Sequence, residues 1–354
     1  MMATRQLPVD DAVSRYLDSL RTERSEETIS SYYYRLKLFV EWCEAHDEIE
    51  TVDDLDGWLL DSFESHRKGK TSNTNTLKNE LTTLKKFLEY CEKIDVARDG
   101  VSEKIEPPTV PKSEQSSSIK LDAEDAAALL SYYRNDPGMR GCRAHAILEI
   151  IWHTGCRMGS LVALDLDDLE TTPDGERHYL VFRNRPETGT RLKKGANGER
   201  PVMLSETVHE IIQEYIDQYR HDTTDEVGRE PLITSNRGRP AKGSIRTWTY
   251  AATLPCLHSP CPHGEDPETC EYKQHNKQSG CPSSRSPHQI RTGAITWMRN
   301  RGLSEQKVAD RVNASVETIR DHYDKEDPVE EMLQRRAEQT GDLDIEEDID
   351  NDTN

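Results

Sequence analysis

Long apolar runs are missing from this chain. Nowhere does it approach the roughly 18 consecutive apolar residues of a membrane span, and its first residues, MMATRQLPVDDAV, lack a signal-peptide core. Hydrophobic residues fill only 34% of the 354 positions and aromatic residues 6%, with a mean hydropathy of -0.85. These shortages exclude a membrane protein and predict a cytoplasmic one with a very polar surface. Positive charge is also scarce: 46 Lys and Arg face 66 Asp and Glu, a net charge of -20. Duplex binding is driven by Lys and Arg displacing counterions from phosphates, so the deficit argues at first sight against a nucleic-acid partner. The alternative is the general acidic bias of a halophile's surfaces, with a basic groove inside an acidic average. Acidic clusters at Asp53-Asp54, 165–170 and 342–352 lie in both halves and in the tail, as a general bias would place them. We adopt that second reading. In a reducing cytoplasm the eight cysteines stay thiols, which leaves packing or metal binding as their uses.

The length suits two domains, each able to bury a core. Residues 8–95 read as a helical unit with segments at 10–20, 26–45, 58–66 and 74–94. Ser25 is an N-cap candidate, Ile29, Tyr32, Tyr33, Leu36, Phe39, Val40 and Cys43 recur at helical spacing, and Leu77, Leu81, Leu84 and Leu88 do so later. Arg21, Arg24, Arg35, Lys68, Lys70 and Lys78 are candidates for phosphate contact, or equally for a solvated face. Residues 96–120, containing EPPTVPKSEQSSS, have linker composition. A second unit spans 121–326. It opens with a helix capped by Asp122, followed by one from 142 to 153 that Gly155 ends. Two strands, 179–182 and 200–204, flank the turn LKKGANGE as a hairpin, and helices follow at 208–219, 245–252, 289–300 and 305–312. Residues 327–354 read as a mixed-charge helix and then an acidic, disordered tail.

Chemistry concentrates in three places. His288 and Arg291 stand three residues apart in SPHQIRTGAITWM, Tyr323 follows in DHYD, and Arg157 lies upstream in HTGCRMGS. A phenol that attacks a phosphodiester needs cations to hold the phosphate oxygens, and two guanidiniums with a histidine supply them. Any one of these residues has a structural alternative: a helix-capping arginine, a helix-start histidine, or one of 13 mostly structural tyrosines.

In that order and spacing the boxes resemble the tyrosine recombinases of the phage integrase family, of haloarchaeal type, over residues 8–326. The resemblance implies a mainly α fold with a small β-sheet: a helical core-binding domain followed by an α+β catalytic domain. It implies a site-specific recombinase or integrase that clamps double-stranded DNA between its domains, works as a homo-tetramer on paired sites and needs no cofactor for catalysis. Arg157 and Arg291 would hold the phosphate, and His288 would donate to its oxygens or manage the tyrosine proton. A hairpin lysine, Lys193 in preference to Lys194, would protonate the leaving 5′ oxygen, and Tyr323 would form a 3′-phosphotyrosyl bond. Two positions depart from the family pattern: Asn313-Ala314 stands where a second histidine or a tryptophan is usual, and Ser160 where an acid is usual. A type IB topoisomerase-like activity and a non-cleaving DNA-binding protein of the same fold are the competing functions.

Cys256, Cys261, Cys270 and Cys281 fall close together just before the His288 box, with His263 among them. Four thiols suit a tetrahedral structural zinc, and a three-cysteine site completed by His263 is the other option. Against it, the spacing lacks a tight Cys-x2-Cys pair, so incidental loop thiols are the alternative. The expected role is to pin an insertion, 256–281, beside His288.

Overall fold

The computed structural model describes residues 5–111, 117–323 and 328–335. It divides into two compact units at Ser117/Ser118.

The first unit is built from four helices: α1 (Val9–Ser19), α2 (Glu26–Glu44), α3 (Gly57–Lys70) and α4 (Thr74–Lys93). Three of them start on a side-chain cap that satisfies a free backbone N–H. Ser25 accepts from Thr28, Asp56 from Leu59 at 2.9 Å and Asn73 from Thr76 at 3.0 Å. Their apolar stripes meet in one core, where Phe39 packs its ring against Trp42, Phe63 and Phe87. Arg67 grips the buried Glu80 with two hydrogen bonds of 2.9 and 3.1 Å, tying α3 to α4.

The unit does not stop where the sequence composition changes. Val96, Ala97, Val101 and Ile105 are buried in the same core, and Glu92 accepts the backbone N–H of Ser102 at 2.7 Å and its hydroxyl at 3.0 Å. The expected linker start at 96 is therefore corrected: the chain belongs to the first unit past Ile105. Five residues of the expected linker, 112–116, lie outside the described residues.

The second unit holds α5 (Ala123–Asn135), α6 (Arg143–Thr154), α7 (Met158–Ala163), β1 (Leu169–Thr171), β2 (His178–Phe182), β3 (Arg200–Met203), α8 (Glu206–Gln218), α9 (Lys242–Ala252), α10 (Pro287–Asn300) and α11 (Glu305–Val312). A short turn α12 (Val316–Thr318), a π-helical stretch Ile319–Tyr323 and α13 (Pro328–Arg335) follow. The sheet is antiparallel in the order β1-β2-β3, with Leu180 opposite both Leu169 and Val202. α6 is buried nearly all round, the polar His145, Glu149 and Thr154 included, and it is packed by α8, α9 and α10. The backbone of α10 runs hard against the start of the unit: a Cβ on Gly293 would sit 1.9 Å from the Leu121 carbonyl oxygen.

The hairpin is present, but LKKGANGE is not its turn. Residues 183–199 form a longer excursion with its own bridge, Arg185 to Thr190, and the Gly195–Gly198 turn only closes its far end. Below α7, Asp165 and the fully buried Asp168 gather Arg183, Arg185, Arg229 and Arg239 into one network. Burial raises the Asp168 pKa, but hydrogen bonds from Arg185, the Asp165 N–H and Arg183 outweigh it and leave the pKa below the ordinary value. The expected C-terminal helix is present as α13, while 324–327 and 336–354, with the expected acidic tail, lie outside the described residues. No described helix is long and apolar enough to cross a membrane.

Candidate active site for phosphoryl transfer

The site is assembled from the ends of helices. α6 ends at Gly155, whose φ of 60° is left-handed, and Val312 Cγ1 lies 2.6 Å from where a Cβ would be. Glycine is required there on both counts. The Thr154 hydroxyl accepts the Cys156 N–H at 3.2 Å, and the next residue, Arg157, becomes the N-cap of α7. Arg157 Nη1 then donates to the Asn313 carbonyl at 2.7 Å.

α10 starts on a reciprocal cap that its Ser-Pro-His-Gln sequence encodes. Ser286 accepts the Gln289 N–H at 3.3 Å, Gln289 Oε1 accepts the Ser286 N–H at 2.7 Å, and Pro287 sits where no N–H is needed. This fixes His288 in the first turn and Arg291 one turn later. Arg291 is 1% exposed; its Nη1 donates to the carbonyls of Gly155 and, at 2.9 Å, of Val312. Its Nε and Nη2 make no hydrogen bond of ordinary geometry, and the Tyr323 hydroxyl is the side-chain group that faces the guanidinium. Two unmet donors on a buried guanidinium are costly, and an anion brought from outside would satisfy both.

Tyr323 is 5% exposed, and its carbonyl accepts the Thr296 hydroxyl of α10 at 2.9 Å. Its ring centre lies 4.9 Å from Arg291 Cζ and 5.6 Å from the His288 ring. Protein packed around His288 lowers its pKa, and the charges of Arg291, Arg157, Lys193 and His322 add to the effect. This direction favours the neutral form of His288. Lys193 and Lys194 are both exposed on the 183–199 excursion, and Lys193 is among the charges that act on His288. Arg157, His288, Arg291 and Tyr323 are thus brought together, with Lys193 at their edge. No carboxylate of the described residues forms an ion pair with Arg157 or Arg291.

Sequence reasoning missed Arg200 and Arg311 around this group and gave Asn313 no role of its own. Arg200, which opens β3, packs its guanidinium 4.4 Å from the Phe182 ring and donates to the Arg311 carbonyl at 2.7 Å. Burial pushes its pKa down to about 10, and Arg291, Arg157 and Arg311 add like charge. Arg311 donates twice to the His153 carbonyl, at 2.8 and 3.0 Å. Asn313, left-handed at φ 53°, offers its carbonyl to Arg157 and its side-chain amide to the Gly198 carbonyl at 3.4 Å. It links the phosphate clamp to the excursion that carries Lys193. Of the pair Asn313-Ala314, where the family would place a second histidine or a tryptophan, Ala314 is partly buried and packed on the core, and Ser160 is buried in α7. Of the cations proposed for the first unit, Arg21 pairs with Asp18 and Glu26, Lys68 with Glu64, and Arg35 donates to Thr83, while Arg24 and Lys70 are exposed.

Two other clusters bear on metals. His178, Glu206 and His209 place their ligand atoms within 4.8 Å of one another, but the two imidazoles are stacked 3.4 Å apart at 4°. Lone pairs in parallel planes do not converge on one ion without rotating a ring. Cys256, Cys261, Cys270 and Cys281 are free thiols that line one cavity of about 210 Å³. No three of their sulfurs come within 4.8 Å of one another.

A helical N-terminal unit and a helix-rich second unit that gathers Arg, His, Arg and Tyr around a vacant pair of donors define a phosphoryl-transfer protein. Residues 13–93 match the N-terminal SAM-like domain of phage integrases. Tyrosine recombinase XerD of Oceanobacillus iheyensis is 24% identical over 228 residues, 64% of this chain and 70% of that protein. XerC of Pseudomonas syringae pv. syringae is 27% identical over 164 residues, 46% of this chain and 53% of that protein. In fold the chain resembles a lambda integrase dimer bound to a COC′ core site, with a TM-score of 0.59 at 12% identity over 87% of this chain and 96% of that one. The chain is thus similar to the tyrosine recombinases in sequence and to a DNA-bound integrase in fold. These relatives are recombinases, and the topoisomerase-like and non-cleaving readings are set aside.

Proposed function

We infer that the protein is a site-specific recombinase of double-stranded DNA that cuts and reseals strands through Tyr323. The observation that carries this is the buried Arg291 guanidinium, whose Nε and Nη2 make no hydrogen bond of ordinary geometry and face the Tyr323 side chain. Arg157 and Arg291 would each take non-bridging oxygens of the scissile phosphate, and their hold strengthens as charge builds in the pentacoordinate transition state. Tyr323 Oη forms the bond to phosphorus as the bond to the 5′ oxygen breaks. His288, its pKa lowered, is suited to take the phenolic proton. Lys193 would give a proton to the leaving 5′ oxygen. The phosphotyrosyl bond keeps the energy of the broken linkage, so a second 5′ hydroxyl can displace Tyr323 with no nucleotide cofactor.

Exchange between two duplexes requires four such cuts, so we propose a homo-tetramer on paired sites. The acidic surplus is read as a halophile's surface bias surrounding this cationic pocket.

The test is a suicide substrate whose cleaved end diffuses away. The native chain should become covalently joined to DNA, Tyr323→Phe should give no adduct while binding duplex nearly unchanged, and Arg291→Ala should lower cleavage about 10²–10³-fold. An adduct recovered from Tyr323→Phe would show that another residue is the nucleophile.

A further inference from the structure

We propose that Cys256, Cys261, Cys270 and Cys281 bind one structural zinc ion, and that this ion holds the insertion between α9 and α10 in a fixed shape beside the His288 helix.

The insertion is closed at its base without any metal. The Thr253 hydroxyl donates to the Arg285 carbonyl at 3.2 Å and accepts the Arg285 N–H at 2.8 Å. Arg285 Nε also donates to the Lys120 carbonyl at 2.9 Å. One residue beyond this neck, Ser286 caps α10. Whatever orders the insertion therefore pulls on the start of the helix that carries His288 and Arg291.

Inside the neck, turn hydrogen bonds and the Lys277–Glu271 pair are present, but buried apolar packing is scarce. From 256 to 281 only Gln278 and Cys281 are buried, and the regular structure there is limited to short 3-10 turns. Fixing a backbone costs conformational entropy at every residue, and so few buried side chains cannot offset it. Four thiols are spread along the segment, and binding one metal ion would let them supply that order. Cys256 and Cys281 flank the neck, while Cys261 and Cys270 come from the outer part of the loop, yet all four line the same cavity.

The donor set fits zinc better than a disulfide pair or incidental packing. Four thiolates make a closed tetrahedral site, in which sulfurs stand about 3.8 Å apart around Zn–S bonds of about 2.3 Å. The sulfurs are more widely spread than that, so binding would contract the loop around a cavity that already faces all four. Lys273 lines the same cavity and would offset part of the negative charge of a four-thiolate site, to which Glu265, also in the lining, adds. His263 is the weaker fourth ligand, because it is exposed and its Nε2 meets the Ser283 hydroxyl at 3.0 Å.

The experiment uses the full chain purified with reductant and without chelators, and reads metal content rather than activity. About one zinc per chain is expected, lost in Cys261→Ser and in Cys270→Ser and retained in His178→Ala/His209→Ala. Adding Zn²⁺ to the stripped chain should slow amide exchange across 256–281 and at the start of α10, leaving α1 to α4 unchanged. The proposal is overturned if the native chain carries no zinc, if the metal survives replacement of all four cysteines, or if it depends on His178 and His209 instead.

Discussion

One added methyl group at position 155 should damage both the stability of the second unit and the reaction. Gly155→Ala keeps the residue small but asks an L side chain to adopt φ 60°, which costs about 1–2 kcal/mol. The new Cβ would also lie 2.6 Å from Val312 Cγ1. Val312 cannot swing aside: it is fully buried, β-branched, and its carbonyl is one of the two that hold Arg291. Overpacking of this kind costs about 1–3 kcal/mol. The sum, about 2–5 kcal/mol, is a large part of the 5–15 kcal/mol that typically separates folded from unfolded domains. The two terms are separable. Val312→Ala removes the clashing atom and by itself costs about 2 kcal/mol of lost burial. In the double variant the steric part vanishes and the backbone part remains. Urea denaturation should therefore show the double variant about 1–3 kcal/mol more stable than the sum of the single changes. Adduct yield on a suicide substrate should fall in Gly155→Ala beyond what unfolding explains, since the Gly155 carbonyl that positions Arg291 is displaced. Strictly additive changes, or a Gly155→Ala protein as stable as the native one, would refute this account.

Asp168→Asn should destabilise the second unit by about 3–5 kcal/mol, because it leaves Arg183 and Arg185 facing a neutral amide. The folded Asp168 pKa is depressed, so its contribution is present above the unfolded value of about 3.9 and is lost as pH falls through the folded one. The gap between native and variant urea midpoints should be constant above about pH 5 and shrink in acid; a gap that widens there would contradict the assignment. If the acidic surplus is salt adaptation, folding and cleavage should both improve from dilute buffer toward molar KCl. Screening relieves repulsion over the whole surface but weakens only the smaller set of phosphate contacts. A cleavage optimum in dilute buffer would rule this out.

Much of this was legible in the sequence because it rests on local rules. The stripes through Ile29, Leu36 and Phe39 and through Leu77, Leu81 and Leu84 mark helices, and the cap at Ser25 and the left-handed stop at Gly155 mark ends, all as found. What escaped notice has no local signature. β1 is three residues long, too short for alternation to register, and it is set by pairing with β2. Val96, Ala97, Val101 and Ile105 follow no helical or strand period, since irregular chain can bury apolar residues at any spacing. In the candidate site, Arg157, His288, Arg291 and Tyr323 were visible as ordered boxes, whereas Arg200 and Asn313 gain their meaning only from partners more than 100 residues away. The reach of Lys193 toward His288 likewise depends on the path of the whole 183–199 excursion.

The two clamp arginines are oriented by main-chain oxygens, those of Gly155, Val312 and Asn313, rather than by carboxylates. Every amino acid carries that oxygen. The aim of the clamp is thus written in the path of the chain; the side chains at 312 and 313 act on it indirectly, Val312 by packing and Asn313 by its left-handed turn and its amide bond to the Gly198 carbonyl. A different side chain at 312 can leave the carbonyls that aim the clamp in place, provided it fills the same buried space.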